Sequence, residues 1–168
     1  MHSQLSQKLN SFGIHGLLLM WIAEFLSNRI QRVVLEHCFS DWSPVLSGIA
    51  QGSILGPILF ILFIDDIAVV CSGEVSHQLF ADDLKLYSSI VSDLDVASIQ
   101  ASLDRLQQWC AIWQLDDNVS KCYVLHLGKT NPSHTYFFAG SVIPIANTVV
   151  DLGITVDPLL NFDAHINS

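Results

Sequence analysis

Apolar positions along the chain change period several times, and each change marks an expected element. From Ser3 to Phe12 they recur at helical spacing, and Gly13 ends the run. Leu17–Leu26 reads as a second helix closed by Asn28-Arg29. Gln31–Leu35 reads as a strand, Ser40–Pro44 as a loop, and Val45-Leu46 as a return to the sheet. The longest apolar run, Ile54–Ile64, is interrupted only at Gly56-Pro57; Pro57 suits the first turn of a helix expected to reach about Val70. Two short apolar segments, Gln78-Leu79-Phe80 and Leu84-Lys85-Leu86-Tyr87, bracket Ala81-Asp82-Asp83, which predicts a hairpin with aspartates at its tip.

Ser92-Asp93-Leu94-Asp95 has the grammar of a helix start, followed by Ile99, Leu103, Leu106, Cys110 and Trp113 at steps of three and four. Trp109 and Trp113 on that helix read as core residues rather than a stacking platform. Val124–Leu127 predicts a strand. Tyr136–Phe138 and Val142–Ile145, joined by Ala139-Gly140-Ser141, predict a second hairpin, and Val150–Val156 a last strand. Helices and antiparallel hairpins alternate without a βαβ rhythm, so the expected class is α+β, with helices packed on one face of an antiparallel sheet.

Composition narrows the picture. The 168 residues suffice for one domain with a real core. Hydrophobic residues make up 51% and charged residues 14%, with mean hydropathy +0.44, which is apolar for a soluble chain. The run ending at Ile64 still falls well short of the ~20 residues of a membrane helix, so no membrane association is expected. Met1-His2-Ser3-Gln4 shows no basic region leading into an apolar core, so the expectation is an intracellular protein, cytoplasmic or nuclear. Cys38, Cys71, Cys110 and Cys122 are scattered with no CxxC pair, which suggests reduced thiols rather than zinc ligands or a disulfide framework. A net charge of −9 with only 7 Lys+Arg argues against a strong nucleic-acid surface, because phosphate contacts need cations.

The adjacent carboxylates of Asp82 and Asp83 carry the chemistry. Side by side they repel, and burial without a partner would be costly. An exposed Asp-Asp turn is one reading. The other is a site for divalent cations: magnesium favours oxygen ligands and commonly uses one or two carboxylates plus substrate phosphates. Upstream, Ser47-Gly48-Ile49-Ala50-Gln51-Gly52-Ser53-Ile54-Leu55-Gly56-Pro57 is either a backbone-exposing approach to a ligand or a tight structural turn.

Several blocks in order resemble the reverse transcriptases of non-LTR retrotransposons. Phe80-Ala81-Asp82-Asp83 is similar to that family's active-site motif. The Ser47–Pro57 block resembles its Gly-x-Pro-Gln-Gly-Ser-x-Leu-Gly-Pro, with Ala50 in place of the usual proline, and Phe63-Ile64-Asp65-Asp66-Ile67 resembles its Tyr-Ile-Asn-Asp-Leu. Trp109, Trp113 and Asn118-Val119-Ser120-Lys121-Cys122 resemble the helix and lysine block beyond. Tyr136–Ile145 and Asp151-Leu152-Gly153-Ile154 resemble the following hairpin and strand; Gly13–Gly16, Trp21-Ile22 and Phe25–Arg29 also fit.

The resemblance implies a polymerase palm-like domain over residues 1–168, truncated at both ends, with fingers and thumb largely missing. It implies DNA synthesis from an RNA template and a DNA primer, with deoxynucleotides and Mg2+, the metal expected to bind only weakly to this fragment. Asp82 and Asp83 would be catalytic metal ligands. Gln51, Gly52 and Ala81 would meet substrate, near the incoming nucleotide and template base. Lys121 would meet the triphosphate or protonate the leaving pyrophosphate, although an ordinary exposed lysine is an equal reading. Asp65 and Asp66 would be structural or solvated. The family's further metal-binding aspartate belongs to a strand that precedes His2-Ser3-Gln4-Leu5, and no residue here matches it. Asp116-Asp117 add acidity where relatives have less. The chain alone is therefore expected to show little or no polymerase activity. The alternative is a non-catalytic retroelement remnant acting only as a folded or partner-binding domain.

Overall fold

The structure is a computed structural model that describes residues 2–71, 73, 75–115 and 118–166. Met1, Asp116 and Asp117 lie outside the described residues. The chain divides into two compact units, Met1–Ile67 and Ala68–Ser168. It mixes helices with antiparallel strand pairs, so the α+β class holds. The strands do not join into one sheet: the described residues form five separate two-stranded ladders.

The first unit is built on α1 (His2–Ser11), α2 (Gly16–Leu26) and α3 (Leu55–Ile64). α1 contacts both other helices. Its Leu5 and Leu9 are buried, as are Ile22 and Leu26 of α2 and Leu59 and Phe63 of α3. Asn28 adopts φ 52 just beyond α2, the left-handed position at which Asn tolerably ends a helix. The expected strand Gln31–Leu35 is instead two short ones. β1 (Ile30–Gln31) pairs with β4 (Ser43–Pro44), and β2 (Val34–Leu35) pairs with β3 (Cys38–Phe39). The loop expected at Ser40–Pro44 thus gives its last two residues to β4, and Val45 continues with a hydrogen bond to the Arg29 carbonyl at 2.8 Å.

The helix expected to reach Val70 ends at Ile64, and a separate turn of helix, α4, covers Ile67–Val70. The break coincides with a buried ammonium. Lys8 is 5% exposed and donates from Nζ to the Phe63 carbonyl and to Asp66 Oδ1, the latter at 2.5 Å. The amine also lies 4.9 Å from the centre of the Phe63 ring. It therefore meets a carbonyl at the C-terminal end of α3, where the chain lacks intrahelical donors. Burial lowers the Lys8 pKa from its ordinary value, against the opposing pull of the Asp66 carboxylate.

The second unit contains β5 (Ser76–Phe80) and β6 (Asp83–Tyr87), then α5 (Asp93–Trp113), a 3₁₀ turn at Val119–Lys121, and two more hairpins. These are β7 (Phe137–Phe138) with β8 (Ser141–Val142), and β9 (Val149–Asp151) with β10 (Ile154–Val156). A short helix, α6 (Asp163–Ile166), follows. The helical spacing read from the sequence delivers its face: Ile99, Leu103 and Leu106 of α5, with Val96, pack on buried Tyr136, Phe138 and Ile143. Trp109 is buried, as expected of a core residue. The Gln100 amide extends this packing by donating to the Phe137 carbonyl and accepting from its N–H, both at 2.9 Å.

Two expected strands are corrected. Val124–Leu127 is no strand; only Val124 makes an isolated parallel bridge with Ile145. Val124 donates to the Pro144 carbonyl and accepts from the Ala146 N–H, both at 2.9 Å, and the bridge goes no further. Val150–Val156 is a hairpin rather than one strand, because Leu152 (φ 47) and Gly153 (φ 87) both take left-handed conformations and reverse the chain in two residues.

α5 begins with a capping box of Ser92 and Asp95. The Asp95 carboxylate accepts from the N–H groups of Val91 (2.9 Å) and Ser92 (2.7 Å), and these bonds hold its carboxyl below the usual carboxylate range. A depressed folded pKa gives stability that is present above the unfolded value and lost as pH falls through the folded one. The thermal midpoint of the protein should therefore drop as pH falls below about 4, and Asp95→Ala should both lower the midpoint at pH 7 and flatten that acid limb. For the first unit, urea denaturation should show Lys8→Ala costing about 2–3 kcal/mol through the lost carbonyl partner and buried stem. Lys8→Met should cost under about 1 kcal/mol, since it keeps the stem and removes the desolvated charge.

Candidate active site

The aspartate pair sits where the alternating pattern placed it. β5 and β6 pair antiparallel from Ser76↔Tyr87 through Gln78↔Lys85 to Phe80↔Asp83. Ala81 and Asp82 alone form the bend, so Asp82 is in the turn and Asp83 is the first residue of the returning strand. Ala81 has φ 51. A left-handed residue with a Cβ costs roughly 1–2 kcal/mol, and such strain is concentrated at ligand and active sites.

The register sorts the ribbon into two faces. His77, Leu79, Leu84 and Leu86 lie on one, and all four are half-buried. Gln78, Phe80, Asp83, Lys85 and Tyr87 lie on the other, the exposed one apart from half-buried Lys85. Both Asp82 and Asp83 are exposed, so water screens their mutual repulsion. Two oxygen-donor carboxylates open to solvent fit a largely hydrated divalent ion of the magnesium kind, which needs few protein ligands. Among the described residues no group of three or more His, Cys, Asp or Glu side chains is placed to hold a metal ion.

Lys121 closes the 3₁₀ turn, where its N–H donates to the Asn118 carbonyl at 3.0 Å, and its side chain is exposed. It belongs to the same unit as the aspartates. Gln51 and Gly52 belong to the first unit, in an exposed turn with Gly52 at φ 79. That turn is tied from both sides. Arg29 donates from Nη2 to the Gly48 carbonyl at 2.5 Å, and His2 Nε2 lies 2.9 Å from the same oxygen. Ser53 Oγ donates to the Ala50 carbonyl (2.6 Å) and accepts from the Gly56 N–H (3.0 Å). A Cβ at position 56 would lie 2.9 Å from the Ala50 oxygen, so Gly56 is required by the loop itself.

Asp66, read as structural or solvated, is structural through Lys8, while Asp65 is exposed. Sequence reasoning missed the ion pair Lys85–Asp151, with Nζ 2.6 Å from Oδ2, which joins the aspartate ribbon to the β9–β10 hairpin. The period of two does place Lys85 on the face of Asp83. Nothing in the sequence pointed to a partner at position 151.

A family model described as reverse transcriptase (RNA-dependent DNA polymerase) matches residues 1–156. The chain belongs to the reverse transcriptase family. It is 30% identical over 159 residues to the RNA-directed DNA polymerase from mobile element jockey of Drosophila melanogaster, covering 90% of this chain and 17% of that protein. It is 28% identical over 153 residues to the probable RNA-directed DNA polymerase from transposon X-element of the same fly, covering 86% and 16%. A third relative, the probable RNA-directed DNA polymerase from transposon BS, is 28% identical over 160 residues, covering 88% and 17%. This reverse-transcriptase chain thus spans about a sixth of the length of those relatives. No solved structure gives a significant match. Among the described residues no helix is long and apolar enough to cross a membrane.

The strain at the tip is testable by unfolding. Ala81→Val should destabilise the protein by about 1–2 kcal/mol in urea titration, because a β-branched residue tolerates the left-handed region least. Ala81→Gly should be neutral or stabilising, since glycine reaches that conformation without a clash.

Proposed function

We propose that this reverse-transcriptase chain carries the palm-type catalytic ribbon of an RNA-directed DNA polymerase, with Asp82 and Asp83 as its metal-binding carboxylates. The observation that carries the reading is the two-residue bend at Ala81-Asp82, which sets two carboxylates at the open end of a registered ribbon. Asp82 and Asp83 would hold Mg2+, which when bound neutralises charge on the attacking and leaving oxygens of nucleotidyl transfer. Asp82, in the bend itself, is the more direct ligand. Ala81 presents little bulk beside them. Gln51 and Gly52 orient the incoming deoxynucleotide against the template base, in a turn whose shape is maintained by Arg29, His2 and Ser53. Lys121 meets the triphosphate, and its ammonium is a compact proton donor for the leaving pyrophosphate. RNA template and DNA primer are the partners of this reading.

The 168 residues taken alone should be close to inactive. Residues 1–23 contain no Asp or Glu, so α1 supplies no further carboxylate to the pair. A two-ion site lacking a ligand loses much of its transition-state stabilisation. The second reading, a non-catalytic folded or partner-binding domain, is favoured by the charge of −9, which repels template phosphates.

Primer extension on an RNA template with Mg2+ and deoxynucleotides separates the two. The 168-residue chain should be at least about 100-fold less active than a version extended upstream by the aspartate-bearing strand of its relatives. In the extended version Asp82→Ala or Asp83→Ala should abolish synthesis. Synthesis that survives both substitutions would remove these carboxylates from the mechanism, and an extended version with no activity would favour the non-catalytic domain.

A further inference from the structure

We propose that Asp151 is a positioning residue for the candidate cation site: it draws the Lys85 ammonium onto the β9–β10 hairpin and so keeps it off the carboxylates of Asp82 and Asp83. The inference rests on the reading of those two aspartates as cation ligands. Asp83 and Lys85 are alternate residues of β6 on one face, so their Cα atoms are about 7 Å apart. A lysine stem easily covers that separation. Left alone, the Lys85 ammonium would find its nearest concentration of negative charge at the tip, where it would neutralise a carboxylate and compete with a divalent ion.

In the structure the ammonium is engaged elsewhere, 2.6 Å from Asp151 Oδ2. Asp151 is presented from a fixed place: it ends β9, pairs with Ile154, and precedes the two-residue turn of Leu152 and Gly153. Lysine and aspartate are 37% and 35% exposed, so as an ion pair they contribute little to stability. Their consequence is where the positive charge sits. With the pair formed, its two charges cancel and the tip keeps its two negative charges for a cation.

The experiment is a Mn2+ titration followed by electron paramagnetic resonance, at constant ionic strength, on the 168-residue chain. Asp151→Asn should weaken Mn2+ binding roughly 3- to 10-fold, the effect of an unscreened cation about 7 Å away. Lys85→Met should change it less than about twofold, because that charge is already neutralised. The double variant should return to near the parent affinity. Asp151→Glu should retain it, and Asp151→Ser should repeat the Asn result if Asn alone perturbs the fold by circular dichroism. Asp151 and Lys85 effects that simply multiply in the double variant would overturn the proposal, since uncoupled charges act that way. No effect of Asp151→Asn, while Asp83→Asn removes binding, would overturn it and leave the polymerase reading intact. Absence of Mn2+ binding by the parent, or binding indifferent to Asp82→Asn and Asp83→Asn, would sink both.

Discussion

The site depends on one backbone constraint, the pairing of Phe80 with Asp83 across a two-residue bend. A slip of one residue would exchange the faces of β6. Asp83 and Lys85 would turn inward, and Leu84 and Leu86 outward. The half-buried face of His77, Leu79, Leu84 and Leu86 opposes that slip, which would expose Leu84 and Leu86. Ala81 accepts a left-handed backbone as the consequence. The register thus sets Asp83 on the face opposite the half-buried residues, beside Asp82 in the bend.

Each unit is held by a different device. In the first, polar bonds converge on backbone carbonyls: Arg29 and His2 on Gly48, Ser53 on Ala50, Lys8 on Phe63. In the second, α5 supplies an apolar face for the β7–β8 hairpin, with Gln100 completing its backbone hydrogen bonding. The glycine-rich block is maintained by its own contacts, which accounts for Gly56 and the Ser53 hydroxyl without invoking a ligand. Gln51 and Gly52 of that block are exposed.

Where the reading of elements succeeded, local chemistry was decisive. Alternation on both sides of Ala81-Asp82-Asp83 found the hairpin. Ser92 and Asp95 found the start of α5, and the spacing of Ile99, Leu103 and Leu106 found its packing face. Errors came where one residue outweighs a trend. Leu152-Gly153 reads as strand interior until its two positive φ angles are seen. Val124–Leu127 reads as a strand, yet only Val124 finds a partner, at Ile145. The apolar stretch after Pro57 stops at Ile64, where the Lys8 ammonium meets the Phe63 carbonyl and Asp66.

The amino-acid order alone determined the family blocks, the α+β class, the aspartate tip and the faces of the long helix. All of these follow from residue type and short-range period, which are local properties. Tertiary structure decided which charges meet. Lys8 with Asp66 and Lys85 with Asp151 join positions 58 and 66 residues apart. It also decided that, among the described residues, the strands pair in twos. Such contacts depend on how distant backbones approach one another in space, and no periodicity along the chain encodes that distance.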